Sequence, residues 1–359
     1  MKTSCRDTPH FRYEADLIKK VYSNDQQSMP IRYILGLTND CNLHCSFCFL
    51  NKPEPEKEMA LNDWFNVADQ IPEGSRVILF GGEPLFYKNF EEIYLHIVKK
   101  FDCTIVTNGT LLTENKIEFL LSQEKLLDIA VSIDIVGNGN RGFTQKQWQR
   151  LVASIKHYKK KASQLGHSAK LGISAVLLDE TADGLFELHK YAREELACDY
   201  ITYCTLNGTS LQLSDTMING FEELQKTEDA PLYEKWDTIQ EQFALMRSYD
   251  QEKGFQTYLR PKLLEFSGEA PLDTLKILNK PQFTPSRYGP CTMPWSDCRI
   301  YSDGSVTSCL AYPFGNFKET PNLKAIFQSG RAAKFKNAVK EGFFPQCNRC
   351  VFLYDKEFC

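Results

Sequence analysis

No apolar run in these 359 residues approaches the ~20 that span a bilayer. The opening residues, MKTSCRDTPHFRYEADL, lack the apolar centre of a secretory signal. Neither sign of charge dominates: 42 Lys and Arg stand against 46 Asp and Glu, for a net charge of −4. That balance supplies no general surface for nucleic acid or for an anionic membrane. Internal repeats and low-complexity tracts are also missing. What remains is a cytoplasmic globular chain, 42 % apolar and 25 % charged, able to bury one large core or two smaller ones.

Cysteine is the residue in excess. Thirteen are present, three of them at 41–48 and six at 291–359, with Cys5, Cys103, Cys198 and Cys204 elsewhere. In a secreted protein they would read as disulfides with one left over. In a cytoplasmic one they point to metal or catalysis.

Short runs rich in Ile, Val, Tyr and Thr recur from residue 31: RYILGL (32–37), RVILF (76–80), CTIVT (103–107), DIAVSI (128–133), LGISAVLL (171–178) and YITYCTL (200–206). Between them lie stretches with apolar residues every three to four positions, such as 61–71, 89–101 and 146–165, which predict amphipathic helices. Repeated strand–helix units call for a parallel sheet with its helices outside. Six such units predict an α/β fold, a partial (β/α)6 barrel, with ligands at the C-terminal ends of the strands. The expected divisions are an N-terminal extension at 1–30, the barrel at 31–215, a helical segment covering the substrate at 216–287, and a small α+β unit at 288–359. Within the third, 233–255 reads as one long helix. In the last, 322–342 reads as one helix.

The first strand runs directly into DCNLHCSFCF, with Cys41, Cys45 and Cys48 spaced C-x3-C-x2-C. Structural zinc takes four ligands, commonly in two C-x2-4-C pairs. A [4Fe–4S] cubane has four irons, each with one outer ligand. Three thiolates therefore leave one iron free for a small molecule. A zinc knuckle or plain buried thiols stay open on spacing alone.

C-x3-C-x-aromatic-C, with Phe47 before the last cysteine, resembles the radical S-adenosylmethionine superfamily. There the open iron is chelated by the amino and carboxylate groups of S-adenosylmethionine. The second strand ends in Gly81-Gly82-Glu83-Pro84, and the resemblance implies that this segment holds the amino group of the methionine moiety. Glycine lets a ligand approach the main chain closely. The third strand ends in Thr107-Asn108-Gly109. The fourth ends in Ser132 and Asp134, with Arg141 after it. Asn108 and Ser132 suit ribose hydroxyls, and Arg141 suits a carboxylate. Ile135 stands where the family often has glycine.

Cys291, Gly304 and Cys309 follow C-x12-G-x4-C, and Cys347 and Cys350 follow as CNRC. YSDGSVTS (301–308) reads as a hairpin that would bring Cys291 and Cys309 together. This region resembles the SPASM/twitch auxiliary domain of the same superfamily. The short tail after Cys350 favours the twitch form with one auxiliary [4Fe–4S] cluster. Cys298 and Cys359 are unassigned, and a zinc ribbon on the same four cysteines is the competing reading.

The resemblance covers 31–215 and 288–359. It implies two [4Fe–4S] clusters, S-adenosyl-L-methionine and an external donor of the flavodoxin or ferredoxin type. The activity implied is formation of a 5′-deoxyadenosyl radical that takes hydrogen from a substrate C–H bond. An electron taken by the auxiliary cluster would oxidise the product. A hydrogen returned by a thiol, for which Cys204 is the candidate, would epimerise it. Tyr203 and Asp134 are possible polar partners. The substrate expected is a ribosomally made peptide, with a small molecule of a sugar or antibiotic pathway as the alternative. About 30 residues precede the first strand, too few for a peptide-recognition module. A non-catalytic zinc scaffold is the reading of a different class.

Overall fold

The computed structural model describes residues 29–48, 50, 58–137, 139, 141–206, 232–261, 276, 279–280, 283–309, 312–348 and 350–353. Strand β1 (Arg32–Gly36) leads through the cysteine loop to helix α1 (Leu61–Asp69). Then follow β2 (Arg76–Phe80), α2 (Phe90–Val98), β3 (Asp102–Thr107), α3 (Glu114–Leu121), β4 (Leu126–Ser132) and α4 (Gln145–Leu165). The series ends with β5 (Lys170–Val176), α5 (Leu185–Glu194), β6 (Tyr200–Cys204), α6 (Trp236–Lys253) and β7 (Thr257–Arg260). The helix starts are encoded locally. Thr113 and Thr144 accept from the backbone amides of Lys116 and Gln147, and Gly166 ends α4 in the left-handed region at φ 62°.

Strands β1 to β7 are parallel, and neighbours in sequence are neighbours in the sheet. Since β-α-β crossovers are right-handed, an order without reversal places the helices on one face. The strand residues of that face, among them Tyr33, Leu35, Val77, Ile105, Val131 and Ile173, are fully buried. The opposite face curls inward. Arg76 on β2 reaches over β3 to Asp128 on β4, Nη2 to Oδ2 3.2 Å, and its Nε donates to Thr104 at 3.1 Å on the way. Arg260 on β7 feels the charges of Arg32 and Arg76 on the first two strands, so β7 faces β1 and β2 across the interior.

Several elements differ from the sequence reading. The parallel series has a seventh strand, β7, within the segment expected to be a helical cover. The long helix expected there is present as α6, and it packs on α5 in the outer layer. His189 on α5 fixes it: Nε2 lies 2.7 Å from Asp250 Oδ1 on α6, and Nδ1 lies 3.3 Å from the Tyr203 hydroxyl. Tyr203 is therefore on the helix side of the sheet, fully buried, and not a polar partner for substrate.

The C-terminal unit begins with α7 (Met293–Ser296), β8 (Asp297–Ile300), β9 (Ser305–Thr307) and β10 (Pro313–Asn316). Strand β8 pairs with β1 in parallel, and β9 and β10 continue antiparallel. One ten-stranded sheet thus carries both units. The hairpin at Asp303-Gly304 is present, with Gly304 at φ 88°. The single helix expected at 322–342 is two, α8 (Leu323–Phe327) and α9 (Gly330–Glu341). Ser329 breaks it by accepting from the Ala332 amide and capping the second. Among the described residues no helix is long and apolar enough to cross a membrane.

Candidate active site

The loop after β1 and the loop after β2 are joined by main chain. Leu37 N donates to Phe80 O at 3.0 Å, Gly82 N to Thr38 O at 2.7 Å, and Glu83 N to Asp40 O at 2.9 Å. Strand pairing is thereby prolonged past the strand ends, up to the residue before Cys41. A Cβ on Gly82 would stand 2.2 Å from Asp40 O, and one on Gly81, at φ 151°, 2.5 Å from Thr38 O. The glycines were expected to admit a ligand. The backbone they admit is the chain's own. Glu58 secures the other side of the loop, accepting from Thr38 Oγ1 and Asn39 N, both at 2.8 Å. Its role had no sequence signal, because it lies after the cysteines in a polar stretch.

Glu83 turns inward. Oε1 accepts from Thr107 Oγ1 at 2.6 Å and Leu85 N at 3.1 Å, and Oε2 accepts from Asn108 N at 2.7 Å. The carboxyl is fully buried. Burial raises its pKa from the usual 4.5 to about 7, against the pull of these three donors. No cation pairs with it among the described residues. Asn108 links the third strand to the loop: Nδ2 donates to Asn42 Oδ1 at 2.9 Å and approaches Cys41 Sγ at 3.7 Å. Ser132 ends β4, half-buried, in register with Ser174 on β5.

Arg141 closes the other side. Its Nη2 donates to Asp134 Oδ1 at 2.8 Å, Nε stands 2.7 Å from Oδ2, and the same carboxylate accepts from Val176 N at 2.8 Å. The guanidinium lies over the Phe47 ring, 5.2 Å from its centroid, and its charge reaches Cys45. Residues 47 and 141, read separately from the sequence, thus meet. The loop thiols are free, Cys41 and Cys45 half-buried and Cys48 exposed. Burial pushes the first two up, and Cys48 repels the thiolate form of both. Cys204 ends β6 on the inner face, bonded to Ser174, its thiol also raised by burial.

The second set also gathers. Cys291 precedes α7, Cys309 follows β9, and Cys347 and Cys350 lie on the turns after α9. The Cys347 thiol is pushed well up by burial and by Cys291, Cys350 and Cys309 together. Cys350 is pushed up to about 12 by burial, with Arg299 pulling the other way. Cys298 faces the helix side in register with Tyr33, fully buried, and is a core residue rather than a ligand. Cys359 and Cys5 lie outside the described residues.

The chemistry of both donor sets suits iron–sulfur clusters, although no three of these ligands, among the described residues, are arranged around a single metal ion. Protonated, partly buried thiols need a metal to ionise them, and the N–H groups of Leu43 and Asn108 aimed at the Cys41 sulfur suit a bound thiolate. A buried carboxylate with no cation beside it suits an ammonium group. Three thiols at the mouth of a parallel sheet and four more beside its margin define a two-site iron–sulfur enzyme.

The chain belongs to the radical SAM superfamily. That family model matches residues 35–191, and the SPASM model, an iron–sulfur cluster-binding domain, matches 291–351. The first domain binds a [4Fe–4S] cluster and S-adenosyl-L-methionine, and the second binds further iron–sulfur. The zinc-scaffold reading gives way to this. A tungsten-containing aldehyde ferredoxin oxidoreductase cofactor-modifying protein of Pyrococcus furiosus is 25 % identical over 88 % of this chain and 86 % of its own. The antilisterial bacteriocin subtilosin biosynthesis protein AlbA of Bacillus subtilis is 22 % identical over 90 % of this chain and 66 % of its own. Among solved structures, Streptococcus suis SuiB bound to its precursor peptide SuiA superposes with a TM-score of 0.62. It covers 91 % of this chain and 71 % of that one at 17 % identity, which shows the shared fold.

Gly82→Ala is expected to destabilise the protein by at least ~2 kcal/mol, because backbone cannot retreat from the added methyl. Urea unfolding checks this, and iron content per chain should fall with it. The raised Glu83 pKa has a defined sign. The folded state holds a proton that the unfolded state releases, so this contribution is fully present below pH 4.5 and lost as pH rises to about 7. Metal-free protein should weaken across that window, and Glu83→Gln should flatten the dependence.

Proposed function

We propose that this chain modifies a ribosomally made peptide in the cytoplasm, using one cluster on the loop thiols and one auxiliary [4Fe–4S] cluster. What carries the reading is the pairing of an open three-thiol loop with a separate four-thiol set on one sheet. The role of AlbA in subtilosin biosynthesis and the precursor peptide bound to SuiB support the substrate class. Cluster and S-adenosylmethionine together supply a 5′-deoxyadenosyl radical able to remove hydrogen from an unactivated C–H bond.

Cys41, Cys45 and Cys48 would hold the first cluster, and the contact of Phe47 with Arg141 braces their loop. Glu83 would take the methionine amino group, with Gly81 and Gly82 fixing its position against residues 38–40. Asn108 and Ser132 take ribose hydroxyls. Arg141 takes the carboxylate with the N–H groups that Asp134 leaves free. Cys291, Cys309, Cys347 and Cys350 hold the auxiliary cluster. Burial keeps Cys204 protonated, as a hydrogen donor must be. An external donor of the flavodoxin or ferredoxin type supplies electrons. The Pyrococcus relative, named for cofactor modification and matched over 88 % of this chain, favours a small-molecule substrate as the second reading.

Cys45→Ala should abolish 5′-deoxyadenosine formation, whereas Cys347→Ala should keep a part of it and lose product; full activity in both would refute the assignment. Cys204→Ala separates the reaction types by product mass spectrometry in deuterated water. An epimerase loses its deuterium-bearing product, and an oxidative enzyme keeps its two-hydrogen mass loss.

A further inference from the structure

Most arginines of the inner face and its loops are answered by carboxylates, and Arg299 on β8 instead lies over the Phe352 ring, 4.8 Å from its centroid, beside Tyr301. Arg32 pairs with Asp297, Arg76 with Asp128, and Arg141 with Asp134. Arg260 differs. Its guanidinium makes no hydrogen bond or ion pair with any described residue, although protein surrounds it on the inner face and its side chain is open to solvent. It stands at the C-terminal end of β7, where ligands of parallel sheets bind. In register it sits directly beside Cys204. Arg32 and Arg76 are near enough to repel it, and Asp297 is already engaged by Arg32. Two residues earlier on the same face, Tyr258 packs edge-on against Tyr200, with ring centroids 5.9 Å apart. Gly172 leaves the room for the Tyr200 ring, which would meet a Cβ there at 2.1 Å. A cation unanswered among the described residues, beside an aromatic pair, is a binding feature in search of an anion.

We propose that Arg260 anchors a carboxylate of the substrate on the inner face, next to Cys204. A planar guanidinium matches the two oxygens and single charge of a carboxylate. A phosphate would ask for a second free cation, and the neighbouring arginines have partners. The anchor rests on the peptide reading for its source, an Asp or Glu side chain or a C-terminal carboxylate. It is a specificity residue, added by a strand that sequence periodicity did not reveal.

The test uses the anaerobic holoenzyme and reads Cys204 by peptide mass spectrometry. Iodoacetate serves as a carboxylate probe and iodoacetamide as its neutral counterpart. A change in thiolate fraction affects both reagents alike, so their rate ratio isolates attraction of the anion. The ratio at Cys204 should be at least about fivefold higher in the wild type than in Arg260→Gln, and Arg260→Lys should fall between. Equal ratios, or a Cys204 that neither reagent modifies, overturn the proposal. N-acetylglutamate α-amide and N-acetylalanine then compete against iodoacetamide. Protection by the first, lost in Arg260→Gln, assigns a side-chain carboxylate, and protection by the second a C-terminus. Protection by neither overturns the role. Deoxyadenosine formation in the same wild-type samples tests the parent reading separately, since its absence would sink radical chemistry without touching the ratio.

Discussion

The site depends on a run of main chain lying against main chain. Residues 81–83 continue the β2 ladder onto residues 38–40, and two glycines allow a separation that no side chain would tolerate. This contact sets where the cysteine loop leaves the sheet. It also turns Glu83 into the interior, where Thr107 and Asn108 hold it to the third strand. Three consecutive β-α loops are thus one object, and a cofactor that touches all three meets a preformed surface.

Charge on the inner face follows a similar economy. Arg32 takes a carboxylate from the adjacent β8 and Arg76 one from β4, two strands away, which ties the curled sheet across its interior, while Arg141 and Asp134 pair within the loop after β4. Among the described residues Glu83 is an acid without a cation and Arg260 a cation without an acid. Burial makes an unpaired charge at Glu83 costly. The proposed roles of both rest on this lack of an opposite charge. Glu83 follows the end of β2, and Arg260 ends β7.

Much of this was legible in one dimension. The six strands were readable because each is a compact β-branched run followed by a helical period. The three-thiol loop was readable because its chemistry lies within eight consecutive positions. Strand β7 was not, being four residues placed between polar segments. The break at Ser329 was hidden because the apolar period continues through it and only the cap reveals the new start. Tyr203 and Cys204 are adjacent in sequence and face opposite sides of the sheet, so a one-residue step decided which could meet a substrate.

The amino-acid sequence by itself determined the family, the fold class and the two sets of thiols, because strand periodicity and ligand spacing are local properties of the chain. Only the tertiary structure decided what those groups meet. It joined the two units into one sheet, set Phe47 against Arg141, left Glu83 without a cation and placed Arg260 beside Cys204. The physical reason is that pairing across a curled sheet depends on register and curvature, which emerge when distant strands come together and are written in no single segment.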